Sequence, residues 1–172
     1  MSGRAIRISS RIAFAACGLV SLFTAAPYVI LRGAELPVQN EWIFFVIALA
    51  GVGVFSLAVA AAPRAWIAKA CGKDRDDTRL YSAPLKLLGG FAVIFYLLAL
   101  VAFLAPRSWN PDPQIMLSLC PMYFIKTTID PSLPAVFGVF APMNAGAYGA
   151  LGVTVGYAWS FFRRRNSPNR SG

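Results

Sequence analysis

WIFFVIALAGVGVFSLAVAAA, residues Trp42 to Ala62, runs without a single charge between Glu41 and the pair Pro63-Arg64. The hydrocarbon core of a bilayer is about 30 Å thick, so a helix rising about 1.5 Å per residue crosses it in about 20 residues. This stretch has that length. It is apolar on every face, whereas the helix of a soluble protein keeps a polar side for water. A barrel strand would instead alternate over about ten residues. The reading is a membrane-spanning helix, because backbone N–H and C=O groups in lipid must bond within their own segment.

Three more runs meet the same test. Ile12 to Leu31 lies between Arg11 and Arg32, and Leu87 to Ala105 between Lys86 and Pro106-Arg107. The last runs from about Ala135 to Phe162 and stops at Arg163-Arg164-Arg165. None holds a charged residue. The expected fold is therefore all-α: an integral membrane four-helix bundle, a single membrane domain over residues 1–172. A loop of residues 63–86 would join the second and third spans, and a Pro-rich apolar loop of residues 106–134 the third and fourth.

Composition agrees. The chain is 58% hydrophobic and 13% charged, against about 25% charged in ordinary soluble domains. A net charge of +9 raises the prospect of nucleic acid, but the Arg and Lys residues sit at the edges of the apolar runs. Topology and lipid headgroups explain that placement, and nucleic acid is not an expected partner. With the amino end inside, thirteen of the sixteen Lys and Arg residues fall in cytoplasmic pieces, leaving Arg32, Arg107 and Lys126 outside. The positive-inside rule thus places both termini in the cytoplasm. Arg4, Arg7 and Arg11 before an apolar run also resemble the start of a signal peptide. The best cleavage point, after Ala26, would put Pro27 first in the mature chain, so a retained helix is expected. The Ala-rich helices and Arg-rich ends suggest a bacterial inner (plasma) membrane.

Arg64-Ala-Trp-Ile-Ala-Lys-Ala-Cys71 has the character of a short amphipathic helix lying on the membrane, with Trp66 at the interface. Asp74, Asp76 and Asp77 lack the glycine and closing glutamate of a calcium loop and read as a solvated turn. Residues Glu35 to Glu41 read as a plain connector. Pro106, Pro111, Pro113, Pro121, Pro131 and Pro134 forbid a long helix in the outer segment. Yet Ile115 to Ile125 is too apolar to float free. It is expected to lie in the interface, re-enter the membrane or cap the bundle.

The inventory of reactive groups is thin. The chain contains no histidine, which removes the commonest general base and metal ligand. No carboxylate lies at membrane depth, and no Gly-rich phosphate loop is present. An enzyme is not expected, and neither are a cofactor or a metal. Cys120 with Met116 and Met122 forms a soft set that suits Cu(I), but packing is the preferred reading. Cys17, Cys71 and Cys120 fall in different compartments, so no disulfide is expected.

The fourth run carries the clearest pattern. Small residues recur at Gly149, Gly152, Gly156 and Ser160, the spacing by which membrane helices approach backbone to backbone. Ladders at Ala13, Cys17, Ser21 and Ala25, and at Gly53, Ser56 and Ala60, repeat it. They serve either packing within the bundle or a homo-oligomer. Pro142 beside Asn144 combines a helix breaker with a buried amide, as in transporter sites, although a local hydrogen bond from Asn144 explains it more simply. Tyr96, Tyr148 and Tyr157 should bond within the bundle. The expected function is that of a non-enzymatic accessory or interaction protein, whose partners are the lipid bilayer and either a second copy or another membrane protein. The alternative is a small transport or permeation subunit with a site near Pro142 and Asn144. Cys120 marks the outer segment as a possible contact site.

Overall fold

The computed structural model describes residues 3–33, 41–73, 77, 79–109 and 111–166. Among them there is no strand. The elements are α1 (Gly3–Gly33), α2 (Glu41–Ala61), α3 (Arg64–Cys71), α4 (Arg79–Leu104), α5 (Pro113–Leu119), α6 (Tyr123–Thr128) and α7 (Leu133–Ala135). A π-helical turn, Val136–Phe140, then leads into α8 (Ala141–Arg165). Four helices are long and apolar enough to cross a membrane: α1, α2, α4 and the continuous rod Leu133–Arg165. Asp74, Asp76 and most of the connector before Glu41 lie outside the described residues.

The bundle is organised around α8. In the rod Leu133–Arg165, of which α8 is the larger part, 56% of the apolar window is buried, against 17% for α4. The reason is side-chain size: the glycines and alanines of α8 let its neighbours close in, whereas Val93, Ile94, Leu97 and Val101 of α4 point outward. So many large apolar residues on the surface suit a lipid solvent and would be a liability in water. Lipid tails give no hydrophobic drive for helix association, so packing and interhelical hydrogen bonds must supply it. Ser21 Oγ donates to Leu49 O at 2.7 Å and Ser56 Oγ to Phe14 O at 2.8 Å, joining α1 to α2 from both sides.

These contacts define two ends. The start of α1, the end of α2, α3, the start of α4 and the end of α8 meet at an arginine-rich end. There Arg11 donates to Ala60 O (2.6 Å) and Ala62 O (2.7 Å), satisfying carbonyls that the end of α2 leaves open. Helix α3 is stopped by Gly72 in the left-handed region, φ 63°, with Lys73 N donating back to Ala68 O. The Arg164 side chain lies over Gly72, close enough that a Cβ there would meet its Cδ at 2.5 Å, and donates to Lys69 O. Trp66 is 71% exposed while Ile67, Ala68 and Cys71 are buried, the two faces expected of an amphipathic helix.

Two helices run well past the apolar stretches. Helix α4 begins at Arg79 rather than Leu87, because Leu80, Tyr81 and Pro84 turn inward and extend the packed face. Helix α1 begins at Gly3, with Phe14 and Ser10 buried. At the far end the Pro-rich segment after α4 folds onto the bundle as α5 and α6. Asp112 caps α5 by accepting from Gln114 N at 2.8 Å, with Pro113 in the first turn.

Candidate functional site

The glycine face of α8 is spent inside the bundle. A Cβ on Gly152 would lie 2.7 Å from Leu87 O, and one on Gly156 would lie 2.8 Å from Pro84 Cα. These are backbone contacts with α4. Gly149 faces Cys17 of α1, whose Sγ would stand 2.9 Å from the added carbon. Ser160 turns back on its own helix, donating to Gly156 O at 3.0 Å. Gly18 and Gly53 make the equivalent crossing of α1 with α2.

Pro142 and Asn144 are not brought together. Pro142 is exposed, whereas Asn144 is fully buried. Nor does Pro142 break the helix, which runs through from Leu133 to Arg165. The π-helical turn explains this. Ala141 N–H reaches back five residues to Val136 O, and proline, next in line, has no N–H to offer. The Phe137 carbonyl thus left over accepts from Tyr96 OH at 3.4 Å. Asn144 Nδ2 donates to Phe95 O at 3.0 Å across to α4, while its Oδ1 has no protein partner.

Cys120 is fully buried, in one cluster with Met116, Met122, Ala99, Phe103 and Val136. Two tyrosines pin the segment around it: Tyr28 OH donates to Pro121 O and Tyr148 OH to Ser118 O. The Tyr148 ring also stacks on Phe95, with centroids 3.6 Å apart. Lys126 closes the end of α4 by donating to Ala102 O at 2.8 Å and to Ala105 O. Burial holds its ammonium below the ordinary lysine value, against the pull of Asp130 and with a smaller push from Arg107. Burial pushes the Cys120 thiol up to about 12, so it is not a nucleophile at neutral pH. The segment between α4 and α7 caps this end of the bundle, its polar backbone tied down at several points. Of the three tyrosines expected to bond within the bundle, Tyr157 keeps its buried hydroxyl without a protein partner.

At the arginine-rich end the structure opens. Between α2, α3 and α8 lies a groove of about 450 Å³, walled by Phe55, Val59, Trp66, Ile67, Ala158 and Phe161 among others, and almost wholly apolar. Sequence reasoning passed over it, because its walls come from three separate elements. The nearest signal was Thr154 and Ala158, small residues on α8 beside Tyr157, Phe161 and Phe162.

The fold thus defines an all-helical protein with four helices fit to span a membrane, closed by a cap at one end and open at the other. Comparison with protein-family models, with curated proteins and with solved structures finds no match.

Proposed function

We propose that this chain is a non-enzymatic accessory protein of a bacterial inner membrane, multi-pass with both termini in the cytoplasm, which docks a helix of a partner membrane protein. One observation carries the reading: the apolar groove between α2, α3 and α8. Its volume is within the range of binding clefts, and its aromatic rim at Trp66 and Phe161 offers the residue types that anchor interfaces. The distribution of Lys and Arg supports the orientation, which puts the groove in the cytoplasmic leaflet.

The test is purification in mild detergent or native nanodiscs followed by mass spectrometry of the intact assembly. A second protein in fixed ratio, lost in Ala158→Trp while the thermal midpoint holds, is the expected result. A bare monomer or a closed homo-oligomer would overturn the reading. Permeation has one observation of its own, the unpartnered Oδ1 of buried Asn144. It requires that Asn144→Ala change solute flux in proteoliposomes at unchanged expression.

A further inference from the structure

A second cavity, of about 280 Å³, opens at the arginine-rich end where the start of α1 faces α3 and α4. Arg4 and Arg7 of α1, Arg64 of α3, Asp77 and Tyr81 line it. Among its described lining residues, basic side chains outnumber acids. Asp77 is the single acid among these five, and it is already engaged: Oδ1 accepts from Arg79 N at 2.7 Å, and Lys73 Nζ stands 3.8 Å from Oδ2. Among the described residues no carboxylate lies in ion-pair range of Arg4 or Arg7. The inner wall is Tyr81, 2% exposed, whose buried hydroxyl has no protein partner. Guanidinium forks from two elements around a buried unpaired hydroxyl suit a tetrahedral oxyanion, which accepts paired hydrogen bonds.

Depth selects the source of that anion. Ile8 and Ile12 of α1 are exposed apolar residues, 48% and 65%, where the lipid-facing surface begins. Arg7 precedes Ile12 by five residues, about 7.5 Å along a helix. The headgroup layer on each face of a bilayer is roughly 5–8 Å deep. The cavity therefore sits among headgroups rather than in open water. We propose that it binds the phosphate group of an anionic phospholipid, held by Arg4, Arg7 and Arg64.

The test uses the full chain in detergent, titrated with phosphatidylglycerol or phosphatidylcholine and read by native mass spectrometry. Wild type is expected to take one phosphatidylglycerol in preference to phosphatidylcholine. Arg4→Gln with Arg7→Gln should weaken that binding roughly 25-fold, about fivefold per charge. Because those changes also remove topology signals, Arg4→Lys with Arg7→Lys is the decisive variant. It keeps the charge but loses the fork, and is expected to bind several-fold more weakly. The exposed pair Arg163→Lys with Arg165→Lys, outside the cavity, should bind as wild type does. Equal uptake of the two lipids, or an unchanged affinity in Arg4→Lys with Arg7→Lys, would overturn the proposal. So would competition by millimolar inorganic phosphate together with no lipid preference, which would assign the cavity to the free ion.

Discussion

Replacing Gly152 by alanine adds one carbon at the tightest point of the α4–α8 seam. That carbon would stand 2.7 Å from Leu87 O and 2.8 Å from both Leu87 C and Leu88 N. Ordinary contact begins at 3.4 Å, so α4 must retreat by about 0.7 Å, the difference between 3.4 and 2.7. Backbone atoms cannot rotate aside as a flexible side chain can. A gap of 0.5–1 Å forfeits about a quarter to a half of each dispersion contact it opens, and α4 with α8 is the most extensive helix pair in the protein. Overpacking of this kind costs about 1–3 kcal/mol. Gly89→Ala is the matched reference, since nothing lies within 4 Å of a Cβ there. Both substitutions gain the same helix propensity, up to about 1 kcal/mol. In the comparison that gain cancels and leaves the overpacking alone. Reversible unfolding in mixed micelles, followed by tryptophan fluorescence, should place Gly152→Ala about 1–3 kcal/mol below Gly89→Ala. Equal stabilities would refute the close approach. If the glycine face served self-association instead, Gly152→Ala would lower the mass of the assembly and leave the stability of the monomer unchanged.

Arg11→Met should destabilise the bundle by about 2 kcal/mol, since it strips two charge-assisted bonds from carbonyls at the end of α2; Arg11→Lys should recover only part, and unfolding midpoints for the three proteins decide it. Lys126 gives a pH signature. Its folded pKa lies below the ordinary 10.5, so between those two values the unfolded chain binds more protons, and stability should rise as pH climbs through that window. Stability measured against pH should lose this rise in Lys126→Met, and an identical slope in both proteins counts against the buried ammonium. Cys120 should resist a maleimide at pH 8 in the folded protein and react once the chain is unfolded in SDS, read by mass shift. Rapid labelling of the folded protein would mean that the cap does not close over it.

The spans were legible because a bilayer imposes a length and forbids charge. Trp42–Ala62 differs from the observed Glu41–Ala61 by one residue at each end. The extensions were not legible from apolar density. Arg79 to Lys86 reads as a mixed segment until Leu80, Tyr81 and Pro84 are seen to share an inward face. The π-helical turn was hidden for a similar reason: Pro142 marks a missing donor, and only the register upstream decides whether the helix breaks or widens. Asn144 was read correctly as a bond across to a neighbouring helix, its partner Phe95 O being supplied by the fold. The groove and the basic cavity were out of reach, because each is assembled from elements far apart in the chain.

The contrast between the two ends bears on where this protein meets other molecules. At the far end Lys126 of the cap turns inward onto the end of α4, and Tyr28 of α1 and Tyr148 of α8 donate to the backbone around Cys120. Recruiting Cys120 to a ligand would first break the bonds that hold the segment around it, and each buried group left unmet costs about 1–3 kcal/mol. The arginine-rich end carries no such penalty. Its groove is already open, and Arg4 and Arg7 face a cavity without a carboxylate partner among the described residues. Helix α3 forms part of both, with Arg64 on the basic side and Trp66 and Ile67 on the apolar one. Its end is held by Arg164 bonding to Lys69 O. Loosening α3 should therefore alter lipid binding and partner docking together, and Arg164→Ala, whose side chain lines neither site, is the variant that would reveal that coupling.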